Sequence, residues 1–273
     1  MFSCLISIYE KETPRNLEEC LESILNQTVM LNEIVIVKDG HLTESLELVL
    51  EKYSCLFNRD ITAFTTVQLE KNIGLGKALN EGIKHCSNKY IMRMDSDDIM
   101  KPNRVEVMTK LISKFPEIDV FGSQIEEFES TSRNILGIRK VPLDLKNIKR
   151  TIKYRNPMNH VSVVLKKSEL IKVGGYPDFL FFEDYALWAK MISLNYQFRN
   201  CNEILVSVRA GIDMIGRRHG WFYAKQEAKM QNLLFHYRLT NIFWYLFNLI
   251  FRSLGRLAPK SLLQFGIKFY RES

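Results

Sequence analysis

Cysteine is scarce in this chain and poorly spaced. The five that occur, Cys4, Cys20, Cys55, Cys86 and Cys201, stand singly. No pair has metal-ligand spacing, and an odd count makes a poor disulfide framework, so a reducing compartment is the simplest reading. Long apolar runs are also missing. No stretch reaches the roughly 18 apolar residues of a membrane-spanning helix. The run from Leu5 to Ile8 is too short for a signal peptide, and Glu10 follows at once. The chain is therefore expected on the cytoplasmic side. Neither an internal repeat nor a low-complexity segment is present, which leaves an ordinary globular domain.

The content fits that reading. Of 273 residues, 46% are hydrophobic and 25% charged, enough for a substantial core in one large domain or one domain with an appendage. The net charge is +7, which suits an acidic membrane surface, a phosphorylated substrate or nucleic acid. No nucleic-acid motif occurs, and the basic residues concentrate beside apolar ones at the C-terminus, so nucleic acid is not the expected partner.

Strand and helix signals alternate through the first half. Leu5 to Ile8, Glu33 to Val37, Val67 to Leu69 and Tyr90 to Met94 read as strands. Between them, helices are expected from Thr13-Pro14 onward, over Leu42 to Tyr53 and over Gly76 to His85, with another after Pro102. This pattern predicts an α/β fold, a mostly parallel central sheet flanked by helices. Ligands then sit beyond the carboxyl ends of the strands. Glu10, Asp39 and Asp95 to Asp98 all lie at predicted strand ends, so they should converge on one crevice. Further on, Thr151 to Asn159 reads as loop, Val161 to Leu165 as a strand, Gly174 to Pro177 as a turn and Glu183 to Leu194 as a helix. From about Trp221 the chain reads as helices rich in aromatics and arginine.

Asp95-Ser96-Asp97-Asp98 carries three carboxylates in four residues. Crowded carboxylates repel unless a cation sits between them. In isolation the run also fits a solvated turn in which Asp98 caps a helix. At a strand end, hard oxygen ligands suit Mg²⁺ or Mn²⁺, which bridges phosphates. Gly74-x-Gly76-Lys77 is not a triphosphate loop: Ala78 follows the lysine and Lys71 stands where the first glycine belongs.

Together with Leu5 to Glu10, Val35 to Gly40, Asn72 to Asn80 and Phe182 to Trp188, this run resembles the family 2 glycosyltransferases of the GT-A (Rossmann-like) fold. The likeness extends over roughly residues 2 to 220, and is greatest to bacterial enzymes of O-antigen, capsule and exopolysaccharide synthesis. It implies a nucleotide-sugar half over about 1–100 and an acceptor half over about 101–220; the composition of 221–273 adds a helical, membrane-associating segment. It also implies roles. Asp39 would meet the nucleotide base, with Tyr9, Glu10, Asn72, Gly74 and Lys77 as further nucleotide-sugar contacts. Asp95 would reach the ribose or the metal, and Asp97 would be the principal metal ligand, supported by Asp98. Two departures stand out: Lys38 replaces a usual acidic residue, and Gly76 replaces a usual alanine.

Transfer in one displacement needs a base for the acceptor hydroxyl and positive charge on the departing diphosphate. Asp184 is the candidate base with Glu183 as its partner; both would also suit the first turn of a helix through its dipole alone. Arg217 or Arg218 would cover the diphosphate, His219 would complete the metal shell and His160 would contact the acceptor. The implied reaction is an inverting transfer from a nucleotide-diphosphate sugar, UDP-linked, to a polyprenyl-diphosphate-linked saccharide. A metal-dependent nucleotidyltransferase is the competing enzyme class; it needs the same metal and sheet, but not Glu183-Asp184.

The segment Leu239 to Phe251 is apolar and aromatic, and Arg252, Arg256, Lys260, Lys268 and Arg271 follow. This composition fits a helix lying on an anionic membrane surface, or one packed on the catalytic part or a second subunit.

Overall fold

β-branched and other apolar residues build the first four strands, β1 (Phe2–Ile8), β2 (Glu33–Lys38), β3 (Ala63–Gln68) and β4 (Tyr90–Asp95). In the computed structural model, which describes residues 1–57, 61–129, 134–210 and 220–257, these four pair in parallel in the order β3-β2-β1-β4. Helices α1 (Pro14–Leu25), α2 (Glu44–Leu56) and α3 (Leu75–His85) make the crossovers. Thr13 caps α1 by accepting from the amide of Asn16 at 3.3 Å, and Pro14 occupies its first turn.

The period-2 alternation of the strands divides the core in two. Phe2, Cys4, Ile6 and Ile8 of β1 face one layer, with Ile34 and Ile36 of β2 and Met92 and Met94 of β4. That layer is covered by α1, α2 and α4 (Arg104–Lys114). Leu5, Val35, Val37 and Ile91 face the other layer, covered by α3 and α7 (Glu183–Ser193).

The second half of the sheet is mixed. β5 (Ile99–Met100), β6 (Val120–Phe128), β7 (Ile135–Arg139), β8 (Val164–Lys166) and β9 (Phe198–Arg209) extend it to nine strands among the described residues. β8 joins β4 and β6 antiparallel, β6 and β9 run parallel, and β5 returns antiparallel on β9. The α/β reading holds, but β6, β7 and β9 have no counterpart in the sequence reading. Polar residues in these strands conceal them: Gln124 is buried because it bonds both the amide and the carbonyl of Val141, at 2.7 and 3.1 Å. The expected strand from Val161 to Leu165 is in fact a 3₁₀ turn, His160–Ser162, followed by β8. The Ser162 hydroxyl donates back to the Asn159 carbonyl at 2.9 Å and holds that turn. The expected loop from Thr151 to Asn159 holds apart from Thr151 itself, which ends α5 (Leu145–Thr151). That helix has no counterpart in the sequence reading; it starts at Asp144, which accepts from the Asn147 amide at 3.0 Å.

α6 (Lys167–Lys172) follows β8, and α8 (Trp221–His236) and α9 (Ile242–Leu257) close the described chain. Tyr223, Met230 and Leu234 of α8 belong to the second core layer, so the first C-terminal helix is part of the packed body.

Candidate active site

Strand register explains why distant residues meet. Ile8 of β1 lies level with Lys38 of β2, and Ser7 lies level with Asp95 of β4. The chain therefore leaves all three strands at one edge. Tyr9 and Glu10 emerge there exposed, while Asp39 is buried and its amide bonds the Ile8 carbonyl at 2.7 Å. Asp39 carries a duty that the sequence does not disclose. Its carboxylate accepts from the amides of Ile73 (2.7 Å) and Gly74 (3.1 Å), which fixes the loop of the Asn72–Gly76 motif. Gly40 makes the approach possible: its φ is +92°, and a Cβ there would stand 2.9 Å from the amide nitrogen of Asn72. Asn72 itself is exposed. Lys38 pairs with Glu47 of α2 at 2.9 Å. Lys77 on α3 pairs with Asp178 at 3.0 Å in an exposed contact.

One ligand oxygen from each of Asp95, Asp97 and Asp98 can be chosen so that all lie within 4.8 Å of one another. Asp98 is buried, and Oδ2 has no hydrogen-bond partner while Oδ1 accepts from the Arg209 amide at 2.9 Å. Burial, with Asp95 and Glu12 nearby, pushes the Asp97 carboxyl up to about 7. Burial and the neighbouring Asp95 and Asp97 also raise Asp98 well above the carboxylate range. An orphaned carboxylate oxygen within a crowded acidic group is what a divalent cation would satisfy, so the residues fit one.

Arg209 staples this cluster. Besides its amide bond to Asp98, its guanidinium donates to the Asp97 carbonyl (3.1 Å) and to Glu19 (2.5 Å) and lies 4.8 Å over the Phe128 ring. Ser96 donates to Glu12 at 2.8 Å and closes the other side.

The second carboxylate pair opens α7. Phe181, with φ of 68°, reaches a left-handed conformation just before it; its ring stacks on Tyr223 at 5.3 Å. Such backbone costs roughly 1–3 kcal/mol and concentrates at functional sites. Asp184 accepts from Asn156 Nδ2 (2.5 Å) and from the Tyr185 amide (2.7 Å). Burial raises its carboxyl against those bonds. Glu183 Oε2 is buried without a hydrogen-bond partner, and burial pushes this carboxyl up to about 7. His160 meets the Tyr176 hydroxyl at 2.9 Å and the edge of Trp188, and burial holds its imidazole neutral. Asn80 of α3 anchors Tyr176 by bonds to its amide and carbonyl, both 2.8 Å.

Arg217, Arg218 and His219 lie outside the described residues. Glu12, Asn156, Tyr176 and Arg93 belong to this site but were not singled out from the sequence. Arg93 did leave a signal there: it is a charge inside the apolar strand Tyr90 to Met94.

The parallel half-sheet thus carries an acidic cluster at its carboxyl edge, with the Glu183–Asp184 pair opening a helix of the adjoining layer. The chain belongs to glycosyl transferase family 2, whose family model matches residues 3–173. It is 38% identical over 265 residues (97% of both chains) to the amylovoran biosynthesis glycosyltransferase AmsE of Erwinia amylovora. It is 38% identical over 263 residues (95% of this chain, 92% of the other) to the UDP-Gal:alpha-D-GlcNAc-diphosphoundecaprenol beta-1,3-galactosyltransferase of Escherichia coli. Among solved structures, S. aureus TarS in complex with UDP-GlcNAc superposes with a TM-score of 0.67 at 18% identity, over 94% of this chain and 73% of that one. These likenesses give a glycosyltransferase of the GT-A fold.

Proposed function

We propose that this glycosyltransferase moves a sugar from a UDP-sugar to a hydroxyl of a polyprenyl-diphosphate-linked saccharide, in the synthesis of a bacterial surface polysaccharide. The observation that carries the reading is the closeness of the Asp95, Asp97 and Asp98 oxygens, within 4.8 Å, at the strand edge shared with Asp39. The 38%-identical relative named for a UDP-Gal donor and a diphosphoundecaprenol-linked GlcNAc acceptor supports the donor and acceptor classes.

In this reading Asp97, Asp95 and Asp98 hold Mn²⁺ or Mg²⁺, with His219 as a further ligand. The cation would supply positive charge to the departing diphosphate. Arg217 or Arg218 would add to it. Tyr9, Glu10, Asp39, Asn72, Gly74 and Lys77 line the nucleotide-sugar side, where Asp39 acts both on the base and on its own loop. Asp184, oriented by Asn156, takes the proton of the acceptor hydroxyl, with Glu183 beside it. His160, neutral and bonded to Tyr176, lines the acceptor side. A single base and no nucleophile means inversion at the anomeric carbon.

The C-terminal segment, 221–273, is proposed to bring this site to the cytoplasmic face of the inner membrane. No helix among the described residues is long and apolar enough to cross a bilayer. Instead α9 exposes Ile242, Phe243, Leu246, Phe247, Ile250 and Phe251. Its other face is docked: Trp244 meets the edge of Tyr154 at 4.8 Å and Asn248 donates to the Lys153 carbonyl at 2.7 Å. An outward apolar stripe supports peripheral attachment.

The test is a panel of nucleotide sugars offered with GlcNAc-diphosphate-lipid, with Mn²⁺, with Mg²⁺ and with excess chelator. Metal-dependent release of UDP with formation of a disaccharide lipid is expected. Asp97→Asn should remove most of that activity and keep the fold. Full activity in chelator would end the metal assignment, and pyrophosphate release from nucleoside triphosphates would favour a nucleotidyltransferase.

A further inference from the structure

Arg93 has no part in the transfer scheme, yet its guanidinium bonds the donor-edge carboxylate of Asp95. Its side chain is 2% exposed. Nη2 donates to Oδ1 of Asp95, while Nε and Nη1 are buried without hydrogen-bond partners. Arg104, also buried, supports it from α4 by donating to the Arg93 carbonyl at 2.8 Å and to the Val161 carbonyl at 3.1 Å. Two guanidinium groups out of water are costly, and nothing in the packing of an apolar strand asks for them.

Strand alternation gives the reason a direction. Met92 and Met94 face the first core layer and Ile91 the second. Arg93 therefore points, with Ile91, to the layer that contains α7, Tyr176 and Trp188. Its tip is bonded to Asp95 of the donor edge, and it shares its layer with α7, which the Glu183–Asp184 pair opens. Its positive charge favours the ionised forms of Glu183 and Asp184, and opposes protonation of His160.

We propose that Arg93 is a positioning residue shared by both halves of the site: its Nη2 holds the Asp95 carboxylate, and its charge lets the donor-edge aspartates and the Glu183–Asp184 pair lie near one another. The proposal rests on the reading of those carboxylates as donor and base groups. A guanidinium that served packing alone would be replaced by methionine at little cost, since buried charges often exchange for apolar groups of like volume without loss.

The experiment separates charge from geometry with Arg93→Gln, Arg93→Lys and Arg93→Met in the full chain. The first readout is the titration of the Glu183 carboxyl by ¹³C NMR without metal or nucleotide, assigned with Glu183→Gln. The groups facing Glu183 are Asp184 on its own helix, Arg93 and Asp95 on β4 and Tyr176 on the preceding loop, with Lys77 of α3 engaged by Asp178. Arg93→Gln and Arg93→Met should move the midpoint upward from about 7, and Arg93→Lys should leave it near the parent value. The second readout is UDP affinity with Mn²⁺. Arg93→Lys keeps the charge but loses the guanidinium Nη2 that bonds Asp95, so binding should weaken by about 10–100-fold, the usual cost of losing an outer partner of a ligand. An unmoved Glu183 midpoint in a folded Arg93→Gln or Arg93→Met protein would overturn the proposal. So would parental UDP affinity in Arg93→Lys should the neutral variants not fold. A parent protein that binds no UDP with metal would instead remove the donor reading, and leave the Glu183 titration to decide the role of Arg93.

Discussion

Gly76 of α3 faces Glu183 of α7 so closely that an added methyl would stand 3.2 Å from the Glu183 Cβ. This contact joins the two halves of the site. The loop before α3 is held by Asp39, and Glu183 opens the helix that carries the candidate base.

Gly76→Ala should therefore separate stability from turnover. Alanine favours a helix over glycine by about 1 kcal/mol, which offsets crowding of similar size, so the melting temperature should change little. Turnover should fall because the start of α7 must give by a few tenths of an ångström. Parental turnover with a parental melting temperature would mean that the two helices yield without consequence.

Asp184→Asn should reduce turnover by roughly 10²-fold or more while UDP-sugar binding persists, since general-base catalysis is typically worth 10²–10⁴. Asn156→Ala removes the 2.5 Å bond that orients Asp184 and should produce a smaller loss of the same kind. Collapse of donor affinity with turnover per bound donor unchanged would make Asp184 a binding residue. The product anomer, read by NMR, should be inverted; retention would exclude a single displacement.

Stability should depend on pH through Glu183. Its carboxyl is pushed from the ordinary 4.5 to about 7 in the folded protein. The stabilising contribution of the protonated form is then fully present below about pH 4.5 and is lost as pH rises through about 7. In chelator, Glu183→Gln should match the parent near the low end of that window and be more stable than the parent at its upper end. Urea unfolding at both pH values checks this, and an equal loss at both would assign Glu183 a packing role.

Vesicle co-sedimentation should require anionic lipid and weaken with salt, because exposed charges are screened. Replacing Phe243, Phe247 and Phe251 by serine should release the protein and leave its stability nearly unchanged, since these rings are 66%, 46% and 67% exposed. Deleting α9 is a different matter. Arg252 pairs with the fully buried Glu227 at 2.6 Å, so the deletion takes a cation from a buried carboxylate and should destabilise the fold. Glu227→Gln in the shortened chain should recover part of that loss. Vesicle binding undiminished in the triple serine variant would put the attachment elsewhere.

Local pattern in the sequence determined much of this protein. The alternation of strands and helices, the Thr13-Pro14 helix start, and the acidic residues at the ends of β1, β2 and β4 are short-range features, and backbone geometry translates them directly into a parallel half-sheet with its site at the carboxyl edge. Tertiary structure decided what depends on distant partners. β6 and β9 stay hidden because buried polar residues such as Gln124 find their partners far along the chain. The second duty of Asp39 exists only because Ile73 and Gly74 fold back to it. Arg93 reads as an oddity in an apolar strand until the fold sets acidic groups on two sides of it. Spacing along the chain carries the identity of a charged group, but the groups that balance it are chosen by packing.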